Sequence, residues 1–216
     1  MNAPKISVNP NTIVTGDAPT IISGVLAWLM DEKSTKHCSI TGGPGAGKTW
    51  MIKELVKTFE SYQELGICDP EIDLTICGTT HESLAIIKKD LNRPDLRTIY
   101  SLLGLVPRYN AICKRAGNQR LPPNYDPQPT EIDYRVRYFL CDEANYIAED
   151  TIIIIRKWFP NIKIIYVGSE HQLGTDTGPS KIFTQGWDNF YLNTAFRADN
   201  ADVQAVYDNS EQDVIN

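Results

Sequence analysis

Eight residues near the start of the chain have the types and the spacing of a phosphate-binding loop. The segment Gly42 to Thr49, GGPGAGKT, matches the pattern G-x-x-x-x-G-K-[ST], although a glycine-rich turn without a ligand is the alternative. Glycines let backbone N–H groups turn inward and approach phosphate oxygens closely. Lys48 is expected to reach the β- and γ-phosphates of a nucleoside triphosphate, and Thr49 to ligate Mg²⁺. The predicted phosphate-binding residues are Gly43, Pro44, Gly45, Ala46, Gly47, Lys48 and Thr49.

Two adjacent carboxylates, Asp142 and Glu143, provide the second half of such a site. They directly follow the apolar run from Tyr138 to Cys141. An acidic residue at the end of a strand holds Mg²⁺, and a neighbouring glutamate can orient and deprotonate an attacking water. Two carboxylates at this point could instead begin a helix. Together with the phosphate-binding loop earlier in the chain, they favour nucleotide hydrolysis, with Asp142 as metal ligand and Glu143 as base.

The elements that must position these residues alternate along the chain. Apolar runs predict strands at 37–41, 72–77, 136–141, 162–168 and 189–193. Helical periodicity predicts helices at about 20–32, 48–64, 80–91 and 148–158. Strands separated by helices indicate an α/β fold with a parallel sheet and helices on both faces. Ligands of such sheets bind beyond the carboxyl ends of the strands, where both motifs fall.

One segment interrupts this alternation. No acidic residue occurs between Leu105 and Tyr125, and the sequences on either side of Ala116-Gly117-Asn118 favour a small inserted hairpin. A solvated surface loop is the alternative. The basic residues of the segment are Arg108, Lys114, Arg115 and Arg120.

Composition limits the class of protein. The 216 residues carry a net charge of -6, which argues against coating nucleic acid by bulk charge but allows a local basic groove. No apolar run approaches the roughly 20 residues that span a bilayer, and the start of the chain lacks the pattern of a secretory signal. We therefore expect a cytoplasmic protein that does not bind membranes. The cysteines are scattered and odd in number, which predicts free thiols, those at 38, 77 and 141 lying in apolar strand-like runs.

The order of the motifs resembles the first motor domain of superfamily 1 helicases, and in particular the RecD- and Dda-like branch. The resemblance extends from about Thr12 to Asn209, and Asp142-Glu143-Ala144 matches the D-E-A form of the family's magnesium motif. It implies a P-loop NTPase fold of the RecA type, with ATP and Mg²⁺ as cofactors.

The resemblance also implies roles for residues near the end of the chain. The segment from Gly168 to Gln172, GSEHQ, resembles G-D-x-x-Q, whose glutamine couples the γ-phosphate to the strand-binding surface. The segment LNTAFR resembles L-x-x-x-Y-R, which implies that Phe196 packs near the base and that Arg197 contacts the γ-phosphate. Ser169 stands where the family has aspartate. A glutamine that would read adenine is not evident, so the choice between ATP and GTP stays open. The catalytic residues implied are Lys48, Glu143, Gln172 and Arg197.

Two further segments resemble the family's nucleic-acid-binding motifs. The segment TTH at 79–81 resembles the motif that grips the backbone, and TIYS at 98–101 resembles T-x-H-S. On the residues alone, Thr80 could equally cap the following helix, and Tyr100 could be a core residue. The implied partner is single-stranded nucleic acid, with DNA favoured over RNA. The nucleic-acid-binding residues implied are Thr80, His81, Thr98, Tyr100 and Ser101.

Together these features predict that residues 1–216 form a single RecA-like motor domain (helicase domain 1A) with a pin-like insertion at about 105–130. We expect the second motor domain to be absent, so this chain should hydrolyse ATP slowly and translocate only with a second motor domain or a partner protein. An arginine from another domain accelerates related reactions about 10³- to 10⁵-fold. If the source is a phage or virus, the location would be the host cytoplasm. A stand-alone nucleotide-binding regulatory or assembly module is the alternative; an unrelated P-loop ATPase or small-molecule kinase leaves Gln172 and Arg197 unexplained.

Overall fold

A computed structural model describes residues 13–31, 34, 37–108, 124–127, 138–160, 162–169 and 181–193. The strands are β1 Ile13–Gly16, β2 His37–Gly42, β3 Leu74–Gly78, β4 Arg97–Thr98, β5 Leu105–Arg108, β6 Asn124–Pro127, β7 Tyr138–Asp142, β8 Lys163–Gly168 and β9 Asp188–Leu192. The helices are α1 Ala18–Met30, α2 Lys48–Glu64, α3 His81–Leu91, α4 Ile99–Leu102 and α5 Glu149–Trp158, with 3₁₀ helices at Ala144–Tyr146 and Lys181–Thr184.

The main sheet has seven strands in the order β1-β9-β2-β8-β7-β3-β4, and every neighbouring pair is parallel. The strand β2, which leads into the phosphate-binding loop, lies between β9 and β8. The strand β7, which ends at Asp142, lies between β8 and β3. Because all these strands run in one direction, the loop and the carboxylates meet at the same edge of the sheet. The parallel α/β fold predicted from the sequence is confirmed.

Helices cover both faces of the sheet, and successive residues of a strand serve opposite faces. On one face, Leu140 of β7 and Ile165 of β8 belong to a core cluster with residues of α1, α2 and α3. On the other face, Cys141 and Tyr166 belong to a second cluster with residues of α4 and α5. Burial on both faces explains why these strands have continuous apolar sequences rather than alternating ones.

The boundaries predicted from the sequence agree with the structure within two residues. Five short elements were not predicted: β1, β4, α4 and the two 3₁₀ helices. The strand β1 pairs only with β9 at one border of the sheet, and its residues are exposed or half-buried. The strand β4 has two residues and α4 has four, which is too short for a recognisable hydrophobic period.

A separate antiparallel pair of strands is inserted between α4 and β7. Leu105 pairs with Pro127 and Arg108 with Asn124. This pairing confirms the small inserted hairpin of the predicted fold. The turn expected at 116–118 lies outside the described residues, and a pin-like role of the segment stays a prediction.

A buried lysine joins the sheet to the end of α1. Lys163 is only 5% exposed, and its Nζ donates hydrogen bonds to the Asp31 carbonyl oxygen and to Ser34 Oγ, while its third donor is shared between the carbonyl oxygens of Trp28 and Leu29. A cation is favourable here because the last carbonyl groups of a helix carry partial negative charge. The contact fixes the position of α1 relative to β8.

Two predictions made from composition concern membrane-spanning segments and the state of the cysteines. In the part of the chain that the structure describes, no helix has both the length and the apolar character needed to cross a bilayer. Cys38, Cys68, Cys77 and Cys141 are buried free thiols, as predicted. Cys113 lies outside the described residues.

Candidate nucleotide-binding site

The loop between β2 and α2 has a backbone shape that requires glycine. Gly45 has a φ of 80° and Gly47 a φ of 82°, both in the left-handed region. Any residue with a Cβ would cost about 1 kcal/mol or more at these positions. Gly47 is the N-cap of α2 and has no side chain to cover the amide groups of the first turn. The loop therefore presents backbone N–H groups and the positive end of a helix, which together bind anions.

Lys48 lies across this loop. Its Nζ donates hydrogen bonds of 2.9 Å to the carbonyl oxygens of Gly42 and Gly43. An ammonium group has three donors, so one remains for a phosphate oxygen beside these two bonds. Burial lowers the pKa of Lys48, and the charges of Glu143 and Asp142 partly oppose that effect. The lysine therefore lies between the loop and the two carboxylates.

Asp142 is a buried carboxylate in an environment that disfavours its charge. Burial raises the pKa of Asp142 to about 6, and the neighbouring charge of Glu143 contributes in the same direction. The Glu143 N–H, which donates to Asp142 Oδ1 at 2.9 Å, and the ammonium of Lys48 lower this pKa in part. A buried carboxylate with a second, half-buried carboxylate next to it favours a divalent cation, because the cation neutralises their repulsion.

Glu143 has an unusual backbone conformation. Among the described residues, it and Asn92 are the non-glycine residues with positive φ, and its φ is 53°. For a glutamate this conformation costs about 1–2 kcal/mol. The Glu143 carbonyl accepts hydrogen bonds from the Thr79 hydroxyl at 3.0 Å and from the Tyr146 N–H at 3.2 Å. Strain that the surroundings enforce in this way is typical of functional sites.

A buried hydroxyl beside the loop tests whether the site fits a Mg-nucleotide. Ser169 follows Gly168, which pairs with Thr41 of β2, so Ser169 lies next to the start of the loop. Its side chain is 2% exposed, and Ser169 Oγ has no hydrogen-bond partner among the described residues. Buried polar atoms normally have a partner, and a ligand in the loop would supply one. The loop, the ammonium of Lys48 and the carboxylate of Asp142 have the chemistry that a Mg-nucleotide needs, and the roles of Lys48, Thr49 and Asp142 stay predictions.

The residues expected to contact nucleic acid lie at the same edge of the sheet, after β3 and β4. Thr80 Oγ1 accepts a hydrogen bond from the Ser83 N–H at 3.1 Å, so the helix-cap interpretation of Thr80 is confirmed. Thr98 caps α4 in the same way, through the Ser101 N–H at 3.2 Å, and its side chain is buried. Both caps place a helix N-terminus at the edge that carries the nucleotide motifs.

The other residues expected to contact nucleic acid differ in how exposed their side chains are. His81 and Ser101 are exposed, and Tyr100 is half-buried against the second core cluster. Gly78 allows α3 to begin very close to the sheet, because a Cβ at Gly78 would lie 2.7 Å from Ser83 Oγ. Contacts of these residues with nucleic acid stay a prediction.

Three of the residues implied by the resemblance, Gln172, Phe196 and Arg197, lie outside the described residues. Their roles stay predictions.

The sequence interpretation missed the contact between the Thr79 hydroxyl and Glu143, which joins two neighbouring strands. The contact could have been predicted from the position of Thr79, because Thr79 directly follows β3 and Glu143 directly follows the neighbouring strand β7.

Known proteins resemble the chain in sequence and in fold. A family described as an AAA domain matches residues 28–176. The fold is similar to that of Pif1 from a Bacteroides species in complex with ADP-AlF4, with a TM-score of 0.55, 16% identity and coverage of 88% of this chain and 45% of that chain. Pif1 helicase from Candida albicans has a TM-score of 0.54, 14% identity and coverage of 86% and 41%. No curated protein sequence matches.

A third similar structure is described as the basis for DNA unwinding at forked dsDNA by two coordinating Pif1 helicases. Its TM-score is 0.57, its identity is 17%, and the match covers 88% of this chain and 46% of that chain. At these identities the likenesses show the fold alone. The chain spans less than half the length of each of the three solved structures.

Proposed function

This chain belongs to the AAA domain family and has the RecA-like motor fold of superfamily 1 helicases, and we propose that it is an ATP-hydrolysing motor domain of that class. The observation that carries the proposal is the meeting of Lys48, Asp142 and Glu143 at one edge of the sheet. Burial and mutual charge affect the pKa values of Lys48 and Asp142 together. Perturbed ionisable groups beside an anion-binding loop are typical of a catalytic site.

In the proposed reaction, the loop amides and Lys48 would hold the phosphates, and Thr49 and Asp142 would hold Mg²⁺. Bound Mg²⁺ would neutralise the charge that develops on the phosphates. The Glu143 carboxylate orients a water and accepts its proton as that water attacks the γ-phosphorus, and the bond to the bridging oxygen breaks to give ADP and phosphate. Gln172 and Arg197 are proposed to complete the site next to the γ-phosphate. The similar Pif1 structure with ADP-AlF4 supports the nucleotide assignment.

We further propose that single-stranded DNA crosses the edge of the sheet at the starts of α3 and α4. The exposed start of α3, at Thr80 and His81, supports this path, since helix N-termini bind phosphates. Residues 98–101 are included because of their resemblance to the family motif. The structure of coordinating Pif1 helicases at forked dsDNA supports DNA over RNA. Movement along the strand, together with a second motor domain or a partner protein, is part of this proposal, since the chain spans less than half the length of each similar helicase.

Steady-state ATP hydrolysis, with and without single-stranded DNA, tests the proposal. Lys48→Ala should abolish nucleotide binding and turnover, because it removes the ammonium that faces the phosphates. Glu143→Gln should keep nucleotide affinity but lower turnover by about 10²-fold or more, since the general base is lost. Lys57→Ala, an exposed lysine on the same helix that pairs with Glu54, is the matched control and should behave like the wild type.

The possible results separate the proposal from its alternative. Normal turnover by Glu143→Gln would show that Glu143 is not the base. Nucleotide binding without stimulation by single-stranded DNA, at any protein concentration, would favour a stand-alone regulatory or assembly module. Stimulation that depends on Lys48 would favour the motor.

A further inference from the structure

A side-chain hydrogen bond joins the segment proposed to contact nucleic acid to the proposed catalytic base. Thr79 Oγ1 donates to the Glu143 carbonyl oxygen at 3.0 Å, from the end of β3 to the end of β7. We propose that Thr79 is a positioning residue, which holds the Glu143 backbone in its left-handed conformation and links hydrolysis to occupancy of the start of α3. This inference rests on the proposed function.

The first step is that Glu143 needs such a restraint. Its left-handed conformation is unfavourable for a residue with a side chain, so neighbouring groups must hold it. The Glu143 N–H is held by Asp142 and the carbonyl by the Tyr146 N–H, and both partners belong to the same short stretch of chain. Backbone pairing with Gly78 anchors Asp142, and the Thr79 hydroxyl extends that anchoring by one residue to Glu143. Without it, the direction in which the Glu143 side chain leaves the backbone would be less well defined.

The second step is that the hydroxyl is not needed to build the sheet. Pairing of β3 with β7 is continuous from Leu74 to Gly78 and is made by backbone groups. It is Thr80, not Thr79, that caps α3. The Thr79 side chain is 6% exposed, so its hydroxyl is enclosed and directed at the Glu143 carbonyl instead of solvent. The Thr79 hydroxyl therefore restrains Glu143 and is needed neither for strand pairing nor for the α3 cap.

The third step is that Thr79 cannot move independently of α3. Thr80 follows it directly, and at the start of the helix Ser83 donates its N–H to Thr80 Oγ1 at 3.1 Å and its hydroxyl to the Thr80 carbonyl oxygen at 3.0 Å. On the other side, Gly78 lies close against Ser83 and Leu84. A phosphate that binds at Thr80 and His81 would shift this rigid unit, and hydrogen bonds weaken steeply when distance and angle change. The position of Glu143 would then depend on the occupancy of the nucleic-acid path.

The experiment compares Thr79→Val, which removes the hydroxyl at nearly constant volume, with Thr79→Ser, which keeps it. The full chain is assayed for kcat and KM with ATP, for stimulation by oligo(dT), and for affinity for a fluorescent ATP analogue. Thr79→Val should lower kcat about tenfold or more and abolish the stimulation, with nucleotide affinity unchanged, because only the base is displaced. Thr79→Ser should restore both. Thr75→Val, on the same strand and away from the edge, is the matched control.

Three outcomes would overturn the inference. Unchanged kcat and stimulation in Thr79→Val would exclude a positioning role and leave the proposed function standing. Parallel losses of nucleotide affinity and thermal stability, which Thr79→Ser does not reverse, would show a merely structural role. If Thr79→Val does not fold, Thr79→Ala carries the same expectation. Wild-type turnover no faster than that of Lys48→Ala would overturn the proposed function, and this inference with it.

Discussion

Replacing Asp142 by asparagine should stabilise the protein when divalent cations are absent. The carboxylate is buried beside Glu143, and its pKa of about 6 lies above the ordinary value of 3.8. Between these two pH values the folded state binds a proton that the unfolded state does not bind. Stability from this proton is therefore fully present below about pH 3.8 and is lost as the pH rises through about 6. Asparagine has no charge to bury and can still accept the hydrogen bond from the Glu143 N–H.

The size of the effect follows from the same pKa difference. At about 1.4 kcal/mol for each pH unit, the interval from 3.8 to about 6 corresponds to about 3 kcal/mol at pH 8. The two proteins should have nearly equal free energies of unfolding at pH 4. The advantage of Asp142→Asn should then grow between pH 4 and about 6 and stay constant above that range.

Urea unfolding followed by tryptophan fluorescence, in buffers with a chelator from pH 4 to pH 8, measures this difference. Asp95→Asn is a control of opposite sign, because the hydrogen bond from Arg93 lowers the pKa of Asp95, and its loss should slightly destabilise the protein at pH 8. With Mg²⁺ and ATP added, the wild type should gain stability by ligand binding and Asp142→Asn should gain little. A variant less stable than the wild type at pH 8 without cations would refute the assignment of Asp142 as a buried, destabilised charge.

Two other substitutions test contacts described above. Thr80→Ala should lower the free energy of unfolding by about 1 kcal/mol, through loss of the α3 cap, and should weaken binding of single-stranded DNA; an unchanged urea midpoint would contradict the cap. Lys163→Met should lower the free energy of unfolding by about 2–4 kcal/mol in the same assay, because the carbonyl groups at the end of α1 lose a charged donor. Lys88→Met, on α3, is the control. An equally small change in both variants would contradict the role of Lys163.

The sequence predicts those features that local patterns specify. The phosphate-binding loop could be predicted because its glycines, its lysine and the flanking strand and helix are adjacent in sequence. The parallel sheet could be predicted because strands and helices alternate, and strands buried on both faces have continuous apolar sequences. The function of Thr80 stayed open for a physical reason. One hydroxyl can cap a helix and lie beside a ligand, and the structure establishes only the cap.

Other features depend on contacts between distant residues, which no local pattern specifies. Lys163 belongs to an ordinary apolar strand sequence, and only the folded chain shows that it binds the carbonyl of Asp31, 132 residues away. The hydroxyl of Thr79 and the carbonyl of Glu143 are 64 residues apart. The left-handed backbone of Glu143 is likewise invisible in the sequence, because it occurs in a residue type that disfavours it.

The central place of β2 in the sheet has a consequence for how the protein is made. This strand lies between β8 and β9, and its Ser39 and Thr41 hydroxyls both donate to Asn189 Oδ1 on β9, about 150 residues later. At about 5–20 residues per second, a ribosome needs on the order of ten seconds to synthesise the intervening chain. During most of this time β2 lacks both neighbours, because β8 is synthesised only about 20 residues before β9. The phosphate-binding loop is thus synthesised early but acquires its supporting strands late, so the nascent chain should depend on chaperones during that interval.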